Sequence, residues 1–283
     1  MKGFRSGYVS IIGRPNVGKS TLLNTILGEK ISIVTPRPQT TQRRIIGVKT
    51  TEESQMIFVD TPGIHLPKHR LGAFMLKEAR EAFNDVDVLL FMVEPREPGR
   101  GDQFILRLLE ENARGRPVFL LINKVDLVKK SELLPLMEQY RMLYAFEILF
   151  PLSALSDHDV MLLLDEVQQR LPHGPKYYPD DVLTDQYERF VVSEIIREKV
   201  MLATEEEVPH SVAVEIVTWK EREDGMLFLA ANIYVERRGQ KGIIIGKSGR
   251  GLKAIGSAAR KDIEKLLTRK VFMELWVKVK QDW

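Results

Sequence analysis

The residues best suited to chemistry form a glycine-rich stretch near the start of the chain. Gly13 and Gly18 stand five positions apart, and Lys19 and Ser20 follow directly. This spacing lets backbone N–H groups wrap a diphosphate, while the lysine reaches the β- and γ-phosphates and the serine hydroxyl binds Mg²⁺. The predicted phosphate-binding residues are Gly13, Arg14, Pro15, Asn16, Val17, Gly18, Lys19, Ser20 and Thr21.

A carboxylate follows the apolar run at 57–59. Asp60 would lie behind the Mg²⁺ through water, and the backbone N–H of Gly63 could contact the γ-phosphate. Taken alone, the segment is equally well explained as a strand that ends in a Pro-Gly turn. Its position between the phosphate loop and the next motif favours nucleotide binding by Asp60, Thr61, Pro62 and Gly63.

The polar segment 35–42 could supply the remaining metal ligand. A threonine here can complete the Mg²⁺ shell when GTP is bound and swing away after hydrolysis. We favour Thr41 over Thr40 for this role. The predicted metal ligands are therefore Ser20, Thr41 and Asp60.

A third motif, after the apolar run 119–122, would select the base. The Asn123 amide can bond N7 and O6 of guanine, Lys124 would lie over the base plane, and Asp126 can accept from N1–H and the 2-amino group. Adenine lacks those donors and would leave the carboxylate unpaired, at a cost of several kcal/mol. A backbone N–H of Ser153, Ala154 or Leu155 would close over the guanine. The predicted ligands are GTP and GDP with Mg²⁺.

Alternating strands and helices would position these motifs. Strands are predicted at 8–12, 45–50, 56–60, 88–93, 118–122 and 147–151, and helices at 19–27, 70–82, 101–113, 131–143 and 159–170. Such alternation predicts an α/β domain over residues 1–172, with a mostly parallel sheet covered by helices on both faces.

A second domain is predicted behind a proline-rich linker at 173–183. Residues 184–283 predict a helix at 184–203, strands at 210–219 and 226–236, two helices around Gly246–Gly249, and a last strand at 271–279. This order, α-β-β-α-α-β, describes a compact α+β unit of about 100 residues.

Composition limits the function classes. The 283 residues are 44% apolar and 29% charged, as in soluble proteins, and no apolar run approaches the ~20 residues of a membrane span. The N-terminus leads straight into the first predicted strand, so we expect no signal peptide. The absence of cysteine excludes disulfides, thiolate metal sites and a cysteine nucleophile. We expect a cytoplasmic monomer.

Charge is unevenly distributed, although the net charge is only +3. Residues 237–270 contain eleven lysines and arginines but two acids, Asp262 and Glu264. A basic segment in a nearly neutral chain predicts a polyanionic partner that binds at one place.

The ordered motifs resemble those of the translation-factor-related bacterial GTPases: Gly13–Ser20, Gln39-Thr40-Thr41, Asp60–Gly63, Asn123–Asp126 and Ser153–Leu155. The loop Gly246–Gly249 is similar to the Gly-x-x-Gly loop of a type II KH domain. A GTPase domain joined to one such module resembles the Era family, within the TrmE-Era-EngA-like GTPases.

That resemblance implies GTP hydrolysis, binding near the 3′ end of 16S ribosomal RNA, and assistance with assembly and maturation of the 30S subunit. Peripheral association with the inner membrane is also attributed to family members. In a KH loop the two glycines let the backbone approach the RNA, and a groove beside it reads about four bases. The predicted RNA-binding residues are Gly246, Lys247, Ser248, Gly249, Arg250 and Lys253.

The side chain that follows Gly63 cannot activate the attacking water. Ile64 follows Gly63 where many small GTPases carry a glutamine that positions water, and an apolar side chain cannot polarise water. Backbone groups, the metal or a recruited cation must serve instead. The resemblance implies that Asn16 helps hold K⁺. The predicted catalytic group is Lys19, Thr41, Gly63 and Asn16.

These features predict a GTP-gated RNA-binding switch with slow intrinsic turnover that quickens on RNA. A pure RNA-binding module with a degenerate nucleotide site is one alternative, but Lys19, Ser20, Asp60 and Asn123 are all present. A membrane-associated signalling GTPase should carry a lipid anchor or an amphipathic tail, and we find neither. Other ribosome-assembly GTPases usually duplicate the GTPase domain or lack Gly-x-x-Gly.

Overall fold

The structure is a computed structural model that describes residues 3–38, 40–65 and 70–280. Gln39, part of one motif above, lies outside the described residues. The chain forms two compact units. The first contains the residues up to Ser32 and Pro38–Asp185, and the second contains Ile33–Arg37 and the residues from Gln186 onward.

The first unit is a six-stranded sheet with the strand order β2-β3-β1-β4-β5-β6. All neighbouring strands are parallel except β2 and β3. The strands are β1 (Arg5–Gly13), β2 (Ile45–Thr50), β3 (Ser54–Asp60), β4 (Val88–Val93), β5 (Val118–Ile122) and β6 (Ile148–Pro151). The helices are α1 (Lys19–Leu27), α2 (Arg70–Glu81), α3 (Arg100–Asn112), α4 (Lys130–Arg141) and α5 (Asp157–Arg170). The predicted α/β class is confirmed.

The apolar runs explain this architecture. Every residue of β4 and β5 is buried, as expected of parallel strands that are covered on both faces. The parallel strands β1, β3 and β5 end at Gly13, Asp60 and Ile122, so the loops that follow them meet at one edge of the sheet.

The second unit has the predicted order α-β-β-α-α-β. Its elements are α6 (Glu188–Ala203), β7 (Ala213–Glu221), β8 (Leu227–Val235), α7 (Arg238–Ile245), α8 (Arg250–Leu267) and β9 (Val271–Val279). β8 lies between an antiparallel β7 and a parallel β9. Alternate residues of β8 join residues of α6 and α8 in one apolar core. No helix in the described part of the chain is long and apolar enough to cross a lipid bilayer.

The proline-rich segment 173–183, predicted as a linker, is hydrogen-bonded to the first unit. The Gln55 side chain, fully buried, accepts from the N–H groups of Tyr177 and Tyr178 over 2.7 and 2.9 Å and donates to the Tyr178 carbonyl over 2.8 Å. Ser6 Oγ donates to the Pro175 carbonyl over 2.6 Å. Prolines exclude regular structure but leave carbonyls free to accept, so the segment lies along the unit instead of standing clear of it.

The first helix of the second unit begins later than the predicted residue 184. Val48 N–H donates to the Leu183 carbonyl over 2.8 Å, and the Thr184 hydroxyl donates to the Ile46 carbonyl. Because these contacts hold the chain extended beside β2, α6 begins at Glu188.

Candidate nucleotide and RNA sites

The phosphate loop joins β1 to α1. It turns through Asn16 and Gly18, whose φ angles are 65° and 107°. Lys19 opens α1, and its Nζ donates to the carbonyls of Gly13 and Arg14 over 3.2 and 2.9 Å. The ammonium group and the positive end of the helix dipole therefore meet in one small volume, which suits the binding of phosphate.

Lys19 is 6% exposed. Burial lowers the pKa of Lys19 from 10.5 to about 8, and the charge of Asp60 partly opposes that shift. A lysine held this way is costly to keep charged without an anion beside it. The loop is therefore electrostatically prepared for a phosphate.

The three predicted metal ligands converge. Ser20 Oγ donates to Asp60 Oδ2 over 2.7 Å and lies 3.0 Å from Thr41 Oγ1. Two neighbouring oxygens on an octahedral Mg²⁺ are about 3 Å apart, because the metal–oxygen distance is about 2.1 Å. The spacing of the two hydroxyls fits such an ion.

Asp60 supplies a second sign that a cation belongs here. The residue is fully buried, and its Oδ1 has no hydrogen-bond partner among the described residues. Burial raises the pKa of Asp60, while Lys19 and the hydroxyls of Ser20 and Ser32 oppose the rise. A buried, partly unsatisfied carboxylate is expected beside a cation that repays its desolvation.

Sequence reasoning missed Ser32. Its hydroxyl is fully buried and donates to Asp60 Oδ2 over 2.9 Å. Asn24 fixes this part of the chain, since its Oδ1 accepts from the N–H groups of Ile31 and Ser32 and its Nδ2 donates to the Ser32 carbonyl. No motif spacing marks either residue, because the contacts depend on how the chain turns after α1.

Gly63 lies directly against the phosphate loop. A Cβ at this position would be 2.6 Å from the backbone nitrogen of Pro15. Ile64 N–H donates to the Gly13 carbonyl over 3.0 Å, and the Ile64 side chain is fully buried in the core. Any backbone contribution at Gly63 therefore comes from a loop that is held by packing and by His65, whose Nδ1 lies 3.0 Å from the Gly63 carbonyl oxygen.

Thr61 and Arg14, two other residues of these motifs, contact other parts of the first unit. The Thr61 hydroxyl is buried and donates to the Ile11 carbonyl over 2.8 Å. Arg14 Nη1 lies 3.4 Å from Asp102 Oδ2, and a Cβ at Gly101 would be 2.8 Å from Arg14 Nε. Arg14 thus packs on the first turn of α3.

Asn123 braces two loops of the base site. Its Nδ2 donates to the Val17 carbonyl over 2.7 Å, and its Oδ1 accepts from Ala154 N–H over 2.8 Å. The Ala154 N–H, one candidate to close over guanine, is therefore used within the protein. An amide nitrogen carries two N–H groups, so the second Asn123 N–H is left for the base. Gly18 is required beside it, since a Cβ there would be 2.2 Å from Asn123 Nδ2.

The other predicted base contacts lie at the surface. Asp126 is exposed, and Leu155 is 77% exposed, so both can be covered by a base. Lys124 Nζ donates to the Asn16 carbonyl over 2.8 Å and to Glu94 Oε1 over 2.6 Å. Glu94 was missed because it follows β4 outside any motif.

The Gly-x-x-Gly loop connects α7 to α8. Gly246, Ser248 and Gly249 have φ angles of 67°, 55° and 78°, so the loop turns sharply and presents the N-terminus of the 18-residue α8. The four predicted side-chain contacts on this loop and the first turn are all exposed: Lys247, Ser248, Arg250 and Lys253. Exposed basic side chains and a helix N-terminus together suit a phosphodiester chain.

No group of three or more His, Cys, Asp or Glu side chains that could hold a metal occurs in residues 3–38, 40–65 and 70–280. Mg²⁺ bound through one carboxylate, hydroxyls and phosphate oxygens needs no such cluster.

Comparison with protein-family models divides the chain in the same order. Residues 8–124 match a family described as 50S ribosome-binding GTPase, and residues 207–283 match the KH domain.

Full-length relatives are similar to this chain throughout. GTPase Era of Ruminiclostridium cellulolyticum is 51% identical over 281 residues, which cover 99% of this chain and 94% of that protein. GTPase Era of Lacticaseibacillus paracasei is 54% identical over 284 residues, which cover 100% of this chain and 94% of that protein.

Two solved structures share the whole fold. One is Era in complex with MgGDPNP and nucleotides 1506–1542 of 16S ribosomal RNA, and the other is a substituted Era of Aquifex aeolicus bound to GDP and tetrafluoroaluminate. Each is 40% identical to this chain with a TM-score of 0.94, and each match covers 99% of this chain and 95% of the other.

Proposed function

The chain belongs to the Era family of GTPases, and we propose that it binds 16S ribosomal RNA near its 3′ end and assists assembly of the 30S subunit. Its first unit binds GTP or GDP with Mg²⁺ and hydrolyses GTP. Its KH domain binds the RNA through the loop Gly246–Gly249. The state of the nucleotide switches RNA binding.

One observation carries the nucleotide half of this proposal. Ser20, Thr41 and Asp60 come from three separate stretches of chain and meet within hydrogen-bond distance. This convergence favours a working metal site over the alternative of a degenerate one.

The protein's own groups bind and orient the substrate. Lys19 and the backbone of residues 13–18 hold the phosphates, Asn123 and Asp126 orient the base, and the packing around Ile64 excludes water from behind the loop. When bound, Mg²⁺ neutralises charge on the phosphates. Ile64 cannot activate water, so the water would be oriented by backbone groups of the loops at Thr41 and Gly63, by the metal or by a recruited cation.

K⁺ is proposed as the additional cation at Asn16. Asn16 is exposed in the left-handed region of the phosphate loop, beside the residues that are expected to hold the phosphates. We expect hydrolysis to be at least several-fold faster in potassium than in sodium buffer, and Asn16→Ala to remove the difference. Equal rates of the unsubstituted protein in the two buffers would contradict the role of K⁺.

The RNA half is tested at Gly249. Gly249→Asp places a carboxylate at the N-terminus of α8, where it repels phosphate. Gly225 in the β7–β8 turn is a matched control, because both glycines have left-handed φ angles of 78° and 77° and a Cβ at either meets nothing within 4 Å. Backbone strain and steric fit are therefore alike in the two variants.

We expect Gly249→Asp to weaken binding of a 37-nucleotide 16S 3′-end RNA at least tenfold, with GTP affinity unchanged. Gly225→Asp should bind the RNA normally. Equal RNA affinity of the two variants would refute the assignment. Crosslink mapping with GDP and with a non-hydrolysable GTP analogue then tests whether the nucleotide controls RNA binding.

Localisation and assembly are part of the same proposal. A ribosomal RNA partner places the protein at work in the cytoplasm, as a monomer with occasional peripheral membrane association. Sedimentation of the protein alone measures its oligomeric state. Sedimentation with 30S subunits and with anionic lipid vesicles measures its binding to the ribosomal subunit and to a membrane.

A further inference from the structure

A short piece of the metal-ligand loop is built into the second unit. Ile33–Arg37 groups with that unit, although the residues on either side group with the first. Within the second unit, Val34 N–H donates to Glu198 Oε1 over 3.0 Å, and Arg37 Nη2 donates to the Thr204 carbonyl over 3.1 Å. The segment is thus held at two points, on α6 and on the residue that follows it.

The acceptor of the first contact is a buried carboxylate. Glu198 is 1% exposed. Lys199 Nζ lies 2.9 Å from Glu198 Oε2 and 2.6 Å from Asp262 Oδ2. Asp262 belongs to α8, the helix that begins at the RNA loop. Glu198 is therefore fixed on one side by an ion pair that reaches α8, and it holds the loop segment on the other.

Both ends of the segment return to the metal site. Ser32 Oγ donates to Asp60, and Thr41 Oγ1 lies 3.0 Å from Ser20 Oγ. Thr41 follows Ser32 by nine positions. When Thr41 moves toward or away from the metal, the stretch between these residues must absorb the movement.

We propose that Glu198 is a positioning residue for Thr41 and that it couples the γ-phosphate to RNA binding. It holds Ile33–Arg37 in the conformation that brings Thr41 to Ser20. This inference rests on the proposed function, and it names the residue through which the nucleotide state acts. By thermodynamic linkage, RNA and the γ-phosphate change each other's affinity by the same factor through such an element.

Glu198→Ala tests the proposal. It removes the acceptor of Val34 N–H, so Thr41 is no longer held at the metal. We expect the Mg²⁺-dependent affinity for a non-hydrolysable GTP analogue to fall about tenfold, the usual effect of a lost charge-assisted hydrogen bond. GDP affinity should stay within about twofold, because Thr41 serves the GTP-bound state. The ratio of RNA affinities with the two nucleotides should move toward one.

Two further variants keep the test specific. Glu194→Ala is the matched control, because Glu194 lies on the same helix but its carboxylate pairs with the buried Arg197 instead of the loop segment. Arg37→Met removes the second contact from a partly exposed position. It tests the same attachment of Ile33–Arg37 to the second unit if Glu198→Ala fails to fold.

The unsubstituted protein should bind the GTP analogue in preference to GDP. The proposal is supported if Glu198→Ala and Arg37→Met lose this preference and Glu194→Ala retains it. The proposal is overturned if the preference is retained in whichever of Glu198→Ala and Arg37→Met folds. An equal loss in the control would also overturn it, since general destabilisation would then explain the effect. If RNA affinity of the unsubstituted protein is the same with GDP and with the GTP analogue, the switch in the proposed function is refuted. The positioning of Thr41 by Glu198 is tested separately, by the preference of the variants for the analogue over GDP.

Discussion

Asn123 and Lys124 each hold two partners at once in the nucleotide site. Asn123 joins the Val17 carbonyl to the Ala154 N–H, and Lys124 joins the Asn16 carbonyl to Glu94. Residues expected to touch the base thus also brace the phosphate loop. We therefore expect substitutions at the base motif to weaken phosphate binding as well as base selection.

Lys19 makes nucleotide binding dependent on pH. The charged lysine binds phosphate, but the free protein loses that proton above about pH 8. Binding must then recover a proton, so affinity should fall by up to tenfold for each pH unit above about 8. Calorimetry at pH 8.5 in two buffers of different ionisation enthalpy should detect uptake of a large fraction of one proton per GTP.

The control is Lys19→Arg, whose guanidinium remains charged throughout this range. It should bind more weakly but without the proton uptake. Binding heats of the unsubstituted protein that do not depend on the buffer would contradict the lowered pKa.

A substitution at Gly18 tests whether the contact between Asn123 and the phosphate loop supports nucleotide binding. In Gly18→Ala the new methyl group would meet Asn123 Nδ2 at 2.2 Å, so either the amide or the loop must move. We expect GTP affinity to fall at least tenfold. Gly28→Ala at the end of α1 is a control for a substitution at a positive φ, since φ there is 73° and a Cβ meets nothing within 4 Å. Nucleotide titration should show a much larger loss of affinity in Gly18→Ala than in Gly28→Ala.

At the scale of elements, the sheet and the segment after α5 form one hydrogen-bonded structure. Gln55 on β3 satisfies backbone groups of Tyr177 and Tyr178, and β2 donates a hydrogen bond to Leu183 and accepts one from Thr184. An irregular segment is ordered here because buried polar groups of the sheet supply the partners that regular structure would otherwise provide.

Gln55→Ala should therefore destabilise the first unit. It leaves two backbone N–H groups and one carbonyl without their partner, which costs about 2 kcal/mol or more. Thermal unfolding should show a lower Tm by several degrees. Gln103→Ala, at an exposed position of α3, should have no such effect. Equal melting temperatures would mean that the segment contributes nothing to stability.

At the scale of the whole molecule, charge is concentrated where RNA is expected. Eleven basic residues and two acids occupy residues 237–270, although the net charge of the chain is +3. RNA binding should weaken as salt increases, with log K linear in log salt concentration. Nucleotide binding, which depends on a buried lysine, should depend on salt far less.

Lys253→Gln should reduce the salt slope of RNA binding by about 0.7, the value for one lost phosphate contact on a single strand. Lys220→Gln, an exposed lysine of β7 outside the basic segment, should leave the slope unchanged. The measurement is RNA affinity by fluorescence anisotropy over a range of KCl concentrations. The same slope in both variants would exclude Lys253 from the contact surface.

The sequence by itself determined the class of both folds, the nucleotide motifs and most element boundaries to within two residues. Helix α1 begins and ends at the predicted residues 19 and 27, and strands β2, β4, β5 and β9 also have their predicted bounds. Such features are local, because apolar periodicity, glycine spacing and helix starts are written in neighbouring residues.

The tertiary structure alone decided what depends on residues far apart in the chain. Ser32 beside Asp60, Glu94 beside Lys124 and the Val34 contact with Glu198 join positions 28, 30 and 164 residues apart. No spacing rule marks such pairs, since they arise only when each unit has folded. The ligand types could be foreseen from the sequence, but the contacts that hold those ligands in place are products of packing.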